Sequence, residues 1–168
     1  LNFTTPHWPW EGPKDKPVTD ELTARIKAGE SGQILFHTDG GSLETYREMV
    51  EDLDGAIGKV ISALRRSGQL EDTLVLFASD NGGERFSYFW PFSGGKSELL
   101  EGGIRVSTVL SWPGKLGPRQ VSNEPVVTMD WTATLLELAG AEPDPALPLD
   151  GRSLVDHLFR GKPLPERD

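Results

Sequence analysis

Leu74-Val75-Leu76-Phe77-Ala78-Ser79-Asp80-Asn81-Gly82-Gly83 decides how this chain reads. An unbroken apolar run, halted by polar residues and two glycines, is the pattern of a buried parallel strand in an α/β sheet. In open α/β folds the ligand site lies just beyond the carboxyl ends of such strands. Asp80 and Asn81 stand at that position, and Gly82-Gly83 allow the backbone to turn sharply there. A neighbouring carboxylate and carboxamide offer hard oxygen donors, which suit Ca²⁺ or Mg²⁺ and not a soft transition metal. The same residues also have the composition of a plain turn.

Outward from this stretch, strands and helices alternate. Upstream, Tyr46, Met49, Val50, Leu53, Ile57, Val60, Ile61 and Leu64 recur at steps of three and four, which predicts a helix over 43–67 with one buried stripe. Gly68 stops it, and Arg65-Arg66 complement its carboxyl-terminal dipole. Downstream, residues 106–112 read as a second strand, 130–139 as a helix ended by Gly140, and 153–159 as a short helix. Residues 142–149 carry three prolines and read as loop. Ahead of the long helix come an apparent strand at Leu1-Asn2-Phe3-Thr4, a Trp/Pro-rich loop over 8–17 and a short helix over 20–27. The pattern predicts an α/β fold.

Composition narrows the function classes. Of the 168 residues, 26% are charged and 36% hydrophobic, enough for a core and against disorder. A formal net charge of −9 argues against nucleic acid or an anionic membrane surface as partner. The absence of cysteine excludes disulfides and zinc–thiolate sites. No apolar run reaches the length of a membrane span.

After Gly83 a second cluster of motifs follows: Pro91-Phe92-Ser93-Gly94-Gly95-Lys96, then Glu101-Gly102-Gly103-Ile104-Arg105-Val106, then a strand closing on Trp112-Pro113-Gly114. With Pro6-His7-Trp8-Pro9 before them and Met129-Asp130-Trp131 and Asp150-Gly151-Arg152-Ser153-Leu154 after them, these resemble the sulfatase family, arylsulfatase-like members of the alkaline-phosphatase-like superfamily. The resemblance covers nearly the whole chain. It implies a mostly parallel sheet flanked by helices, in the alkaline-phosphatase-like sandwich. Residues 1–168 are then expected to be an incomplete catalytic domain, an internal piece of a longer enzyme. The family's nucleophile, a formylglycine made within a C/S-x-P-x-R motif, would lie outside this chain, as would its small C-terminal sheet. The fragment alone is accordingly expected to be inactive.

The resemblance also implies roles for individual residues. Asp80 and Asn81 become ligands of a Ca²⁺ or Mg²⁺ ion that neutralises sulfate oxygens and lowers the nucleophile's pKa. Lys96 is placed on the sulfate, where an ammonium can stabilise charge on the leaving oxygen. His7 becomes a hydrogen-bonding group to sulfate and a proton donor to the departing alcohol. Glu101 and Arg105 are expected to brace the loop carrying Lys96 through a buried ion pair or backbone hydrogen bonds. His37 and His157 lack any such context. Ser93 departs from the family's frequent Arg-Gly before the lysine. The implied substrate is a sulfated small molecule or carbohydrate, and the implied location is outside the cytoplasm. Two other readings stand beside this one. Phosphodiesterases and phosphonate hydrolases share the fold, commonly with Asp-His where this chain has Asp80-Asn81, and a non-catalytic relative is the third.

Overall fold

The computed structural model describes residues 1–12, 18–30 and 40–167, with His37 and part of the loop over 8–17 outside them. The chain divides into two compact units, Leu1–Leu110 and Ser111–Asp168.

In the first unit, α1 (Val18–Lys27) carries Asp20 and Glu21 in its first turn and Arg25 and Lys27 in its last. Both sets of charges complement the helix dipole. The long helix α2 (Leu43–Arg66) begins where Ser42 caps it, its hydroxyl accepting from the Thr45 N–H at 3.0 Å. Its apolar stripe forms as expected, but only Met49 is fully buried. Val50 is exposed, and the other members of the stripe look across an open cavity of 1410 Å³ toward residues 1–12 and 73–84. Trp10 anchors the near end of this core, with Tyr46 and Phe86 edge-on to it at centroid distances of 5.9 and 5.1 Å. Edge-to-face aromatic packing of this kind adds to the gain from burial alone.

A 3₁₀ turn (Leu70–Asp72) leads into β1 (Val75–Ala78), which pairs with β2 (Thr108–Ser111) in a two-stranded sheet. Between them lies a single helical turn, α3 (Glu101–Ile104). Two expectations are corrected here. β1 is half-buried to exposed and not enclosed, because its side chains border the open cavity and are not packed under another layer. Residues 1–4 form no ladder with β1 or β2, so His7 follows a turn and not the end of a strand.

The second unit is organised by Asp130. Here α4 (Thr128–Leu138) starts two residues earlier than the apolar pattern predicts, because the Asp130 carboxylate reaches back to accept the Val127 N–H at 2.9 Å. The same buried carboxylate accepts the Arg152 N–H at 2.9 Å and the Arg167 guanidinium at 2.6 and 2.7 Å. Thr134 donates to the Asp130 carbonyl at 2.7 Å and accepts the N–H of buried Leu154 at 2.9 Å. Gly151 is required by this contact, since a Cβ there would lie 2.1 Å from the Met129 carbonyl oxygen. The Asp150-Gly151-Arg152-Ser153-Leu154 motif is therefore a packing device. α5 (Val155–Arg160) follows and ends at Gly161, which takes a left-handed conformation. His157 is engaged locally, with Ser122 Oγ at 2.8 Å and the Lys162 carbonyl at 2.9 Å. No helix among the described residues is long and apolar enough to cross a membrane.

Candidate active site

The four residues singled out in the sequence line one cavity in the first unit: His7, Asp80, Asn81 and Lys96. Asp80 and Asn81 follow the carboxyl end of β1, as the strand pattern requires. Asn81 donates through its amide nitrogen to the Gly82 carbonyl at 2.9 Å. That bond orients the carboxamide and leaves its oxygen available as an acceptor or ligand.

The two glycine motifs interlock. Gly82 N–H donates to the Gly103 carbonyl at 2.8 Å, and a Cβ on Gly82 would lie 2.0 Å from the Gly102 carbonyl oxygen. Gly102 N–H in turn donates to the Ser93 carbonyl at 2.8 Å, and Lys96 N–H to the Gly83 carbonyl at 2.8 Å. Gly82 is thus demanded by close backbone approach and not by a left-handed turn. This packing seats the Lys96 loop on the end of β1.

Of the two forms expected for the brace by Glu101 and Arg105, backbone hydrogen bonds are present, Arg105 N–H donating to the Glu101 carbonyl at 2.9 Å, and a buried ion pair is not. Their carboxylate and guanidinium meet at 2.9 Å, but both side chains are more than half exposed. An ion pair so open to water contributes little. The backbone bonds of Gly102 and the stacking of the Arg105 guanidinium over Phe92, 4.7 Å from the ring centroid, are the brace instead.

Lys96 Nζ lies 2.8 Å from His7 Nε2 and 3.1 Å from Glu84 Oε2. His7 Nδ1 contacts the Trp8 carbonyl. Because a carbonyl can only accept, Nδ1 carries the proton, and Nε2 accepts from the lysine. One ammonium proton remains for an incoming anion. Glu84 is the residue that sequence reasoning missed. Its adjacency to Gly83 is visible in the sequence, but its approach to a lysine twelve positions away depends on the loop fold.

The carboxylates of Glu11, Asp80 and Glu84 outnumber the Lys96 ammonium in the cavity lining, which is unfavourable for an anionic ester. A divalent cation would offset this negative charge. The carboxylate of Asp80 and the amide oxygen of Asn81 are hard donors that fit such an ion, although Ca²⁺ takes six to eight oxygens. Among the described residues no group of three or more His, Cys, Asp or Glu side chains could hold a metal.

The sulfatase family model matches residues 1–141. The chain belongs to the sulfatase family. Steryl-sulfatase of Mus musculus is 40% identical over 126 residues, covering 69% of this chain and 20% of that protein. The solved structure of Ps i-CgsB in complex with k-i-k-neocarrahexaose superposes with a TM-score of 0.75 at 28% identity, over 94% of this chain and 32% of the other. Phosphonate monoester hydrolase SpPMH from Silicibacter pomeroyi superposes with a TM-score of 0.60 at 26% identity, over 94% and 33%. The chain thus spans about a fifth to a third of the length of these relatives, and its fold is part of the alkaline-phosphatase-like α/β architecture.

Proposed function

We propose that the full-length protein hydrolyses sulfate esters and that residues 1–168 form part of its catalytic domain. The observation that carries this reading is the convergence of His7 and Lys96 with Asp80 and Asn81 on one cavity. Asp80 and Asn81 would hold a Ca²⁺ or Mg²⁺ ion, whose chemistry is to withdraw charge from sulfate oxygens. The nucleophile, a formylglycine by family resemblance, is supplied from outside these residues. Lys96 directs its remaining N–H at the ester and stabilises charge developing on the leaving oxygen. Its contact with His7 Nε2 holds the ammonium in place, and the remaining ammonium proton is the one that can pass to the departing alcohol.

Sulfated carbohydrate fits the surroundings as substrate class. Tyr88 and Trp90, on the loop between the two motifs, are 85% and 74% exposed and present ring faces on which a sugar can stack. By contrast Trp10, also an aromatic candidate, is enclosed in the core at 3% exposure.

Phosphonate ester hydrolysis is the second reading, favoured by the structural likeness to the phosphonate monoester hydrolase. Asn81, in place of the histidine common in those relatives, weighs against it. Assay of the full-length protein with nitrophenyl sulfate and with a nitrophenyl phosphonate ester separates the two. Turnover of sulfate, lowered about 10²–10³-fold in kcat by Lys96→Ala, is the expected result. Turnover of the phosphonate alone would replace the first reading with the second, and turnover of neither would leave a non-catalytic relative.

A further inference from the structure

We propose that Glu84 is a positioning residue of this site, holding the Lys96 ammonium against His7 so that its free N–H points into the cavity. This rests on the sulfate ester reading above. The Lys96–Glu84 pair is separated by 3.1 Å with side chains 21% and 22% exposed. The ion pairs on α2 are far more open, Arg47 and Glu51 being 62% and 63% exposed. Shielding from water strengthens a charged contact and makes its geometry matter.

Glu84 is itself held by bonds beyond those to the lysine loop. Its N–H donates to Ser87 Oγ at 3.2 Å, and its carbonyl accepts the Ser87 N–H at 2.8 Å. Ser87 Oγ in turn meets the Tyr46 hydroxyl of α2 at 3.0 Å. The carboxylate is therefore held on a turn tied to the longest helix of the chain. Lysine is a flexible point charge, so without a fixed partner its ammonium samples many rotamers. Bound between Glu84 and His7, it has one orientation left for substrate. Glu84 does not touch the ester. It acts through Lys96, and its removal misplaces a group whose contribution comes in the transition state.

The test is steady-state kinetics of the full-length enzyme on nitrophenyl sulfate with four variants. Glu84→Ala is expected to lower kcat about 10–100-fold while KM stays within about threefold. Glu84→Gln keeps an acceptor oxygen for the ammonium but loses the charge, and its kcat is expected to fall between those of Glu84→Ala and wild type. Lys96→Ala gives the reference loss, and adding Glu84→Ala to it should cost no more than about a further threefold in kcat, because the effect of the carboxylate on turnover runs through the ammonium. If Glu84→Ala does not fold, Glu84→Asp, which withdraws the carboxylate by one methylene, should lower kcat about tenfold at unchanged melting temperature. Wild-type kcat in Glu84→Ala or a full independent loss on the Lys96→Ala background would each overturn the proposal while leaving the sulfatase reading intact. Absence of sulfate turnover by the wild type would overturn both.

Discussion

Replacing Asp130 by Ala should loosen the second unit by an amount that its contacts allow to be worked out. The carboxylate is fully buried and accepts four short hydrogen bonds, from Val127 N–H, Arg152 N–H and twice from Arg167. Losing the helix cap costs about 1 kcal/mol. Leaving the Arg152 N–H and the guanidinium without their acceptor costs about 1–3 kcal/mol more, reduced because Arg167, at 35% exposure, can turn to water. A total of about 3 kcal/mol corresponds to roughly a hundredfold rise in local opening. Hydrogen exchange of the full-length protein, followed in peptides covering 128–138 and 152–160, reads this directly. Burial pushes the Asp130 carboxyl up, but hydrogen bonds from Arg167, Val127 and Arg152 and the charge of Arg167 outweigh it, so the group sits below the ordinary 3.8. A depressed carboxylate stabilises the fold fully above its unfolded pKa and ceases to do so as pH falls through the folded value. The difference between wild type and variant should therefore be full near neutrality and shrink below about pH 4. Exchange within threefold of wild type at neutral pH would refute the reasoning.

Three further outcomes are expected. Gly103→Ala would push a Cβ to 2.1 Å from the Glu98 carbonyl oxygen, so it should displace the Lys96 loop and lower kcat at least about tenfold, measured beside circular dichroism to show retained helix. Asp80→Ala or Asn81→Ala in the full-length protein should weaken Ca²⁺ or Mg²⁺ binding by about tenfold or more in calorimetry, and unchanged affinity would remove them from the metal shell. Trp90→Ala should raise KM for a sulfated oligosaccharide and leave that for nitrophenyl sulfate unaltered, because only the longer substrate can reach an exposed ring.

The helix over 43–66 was legible because a stripe repeated every three to four residues and a glycine stop are local signals. The carboxyl end of β1, with Asp80 and Asn81, was legible for the same kind of reason: an apolar run and its stop are written in consecutive residues. His7 and Lys96 were marked by their motifs, although nothing in the spacing of residues 89 positions apart says that they meet at 2.8 Å. That contact, the Glu84 carboxylate beside it and the interlocking of Gly82 with Gly102 and Gly103 arise from loops folding back on one another. The start of α4 shows the same division, since its apolar pattern begins at Asp130 while the capping carboxylate carries it back to Thr128. By itself the sequence determined the main helices, the two paired strands and which residue types carry the chemistry, because periodicity and stops act over a few residues. Only the tertiary structure decided which side chains share a charge, which glycines are required and which aromatic rings stay exposed, because those depend on atoms far apart in the chain coming within a few ångströms.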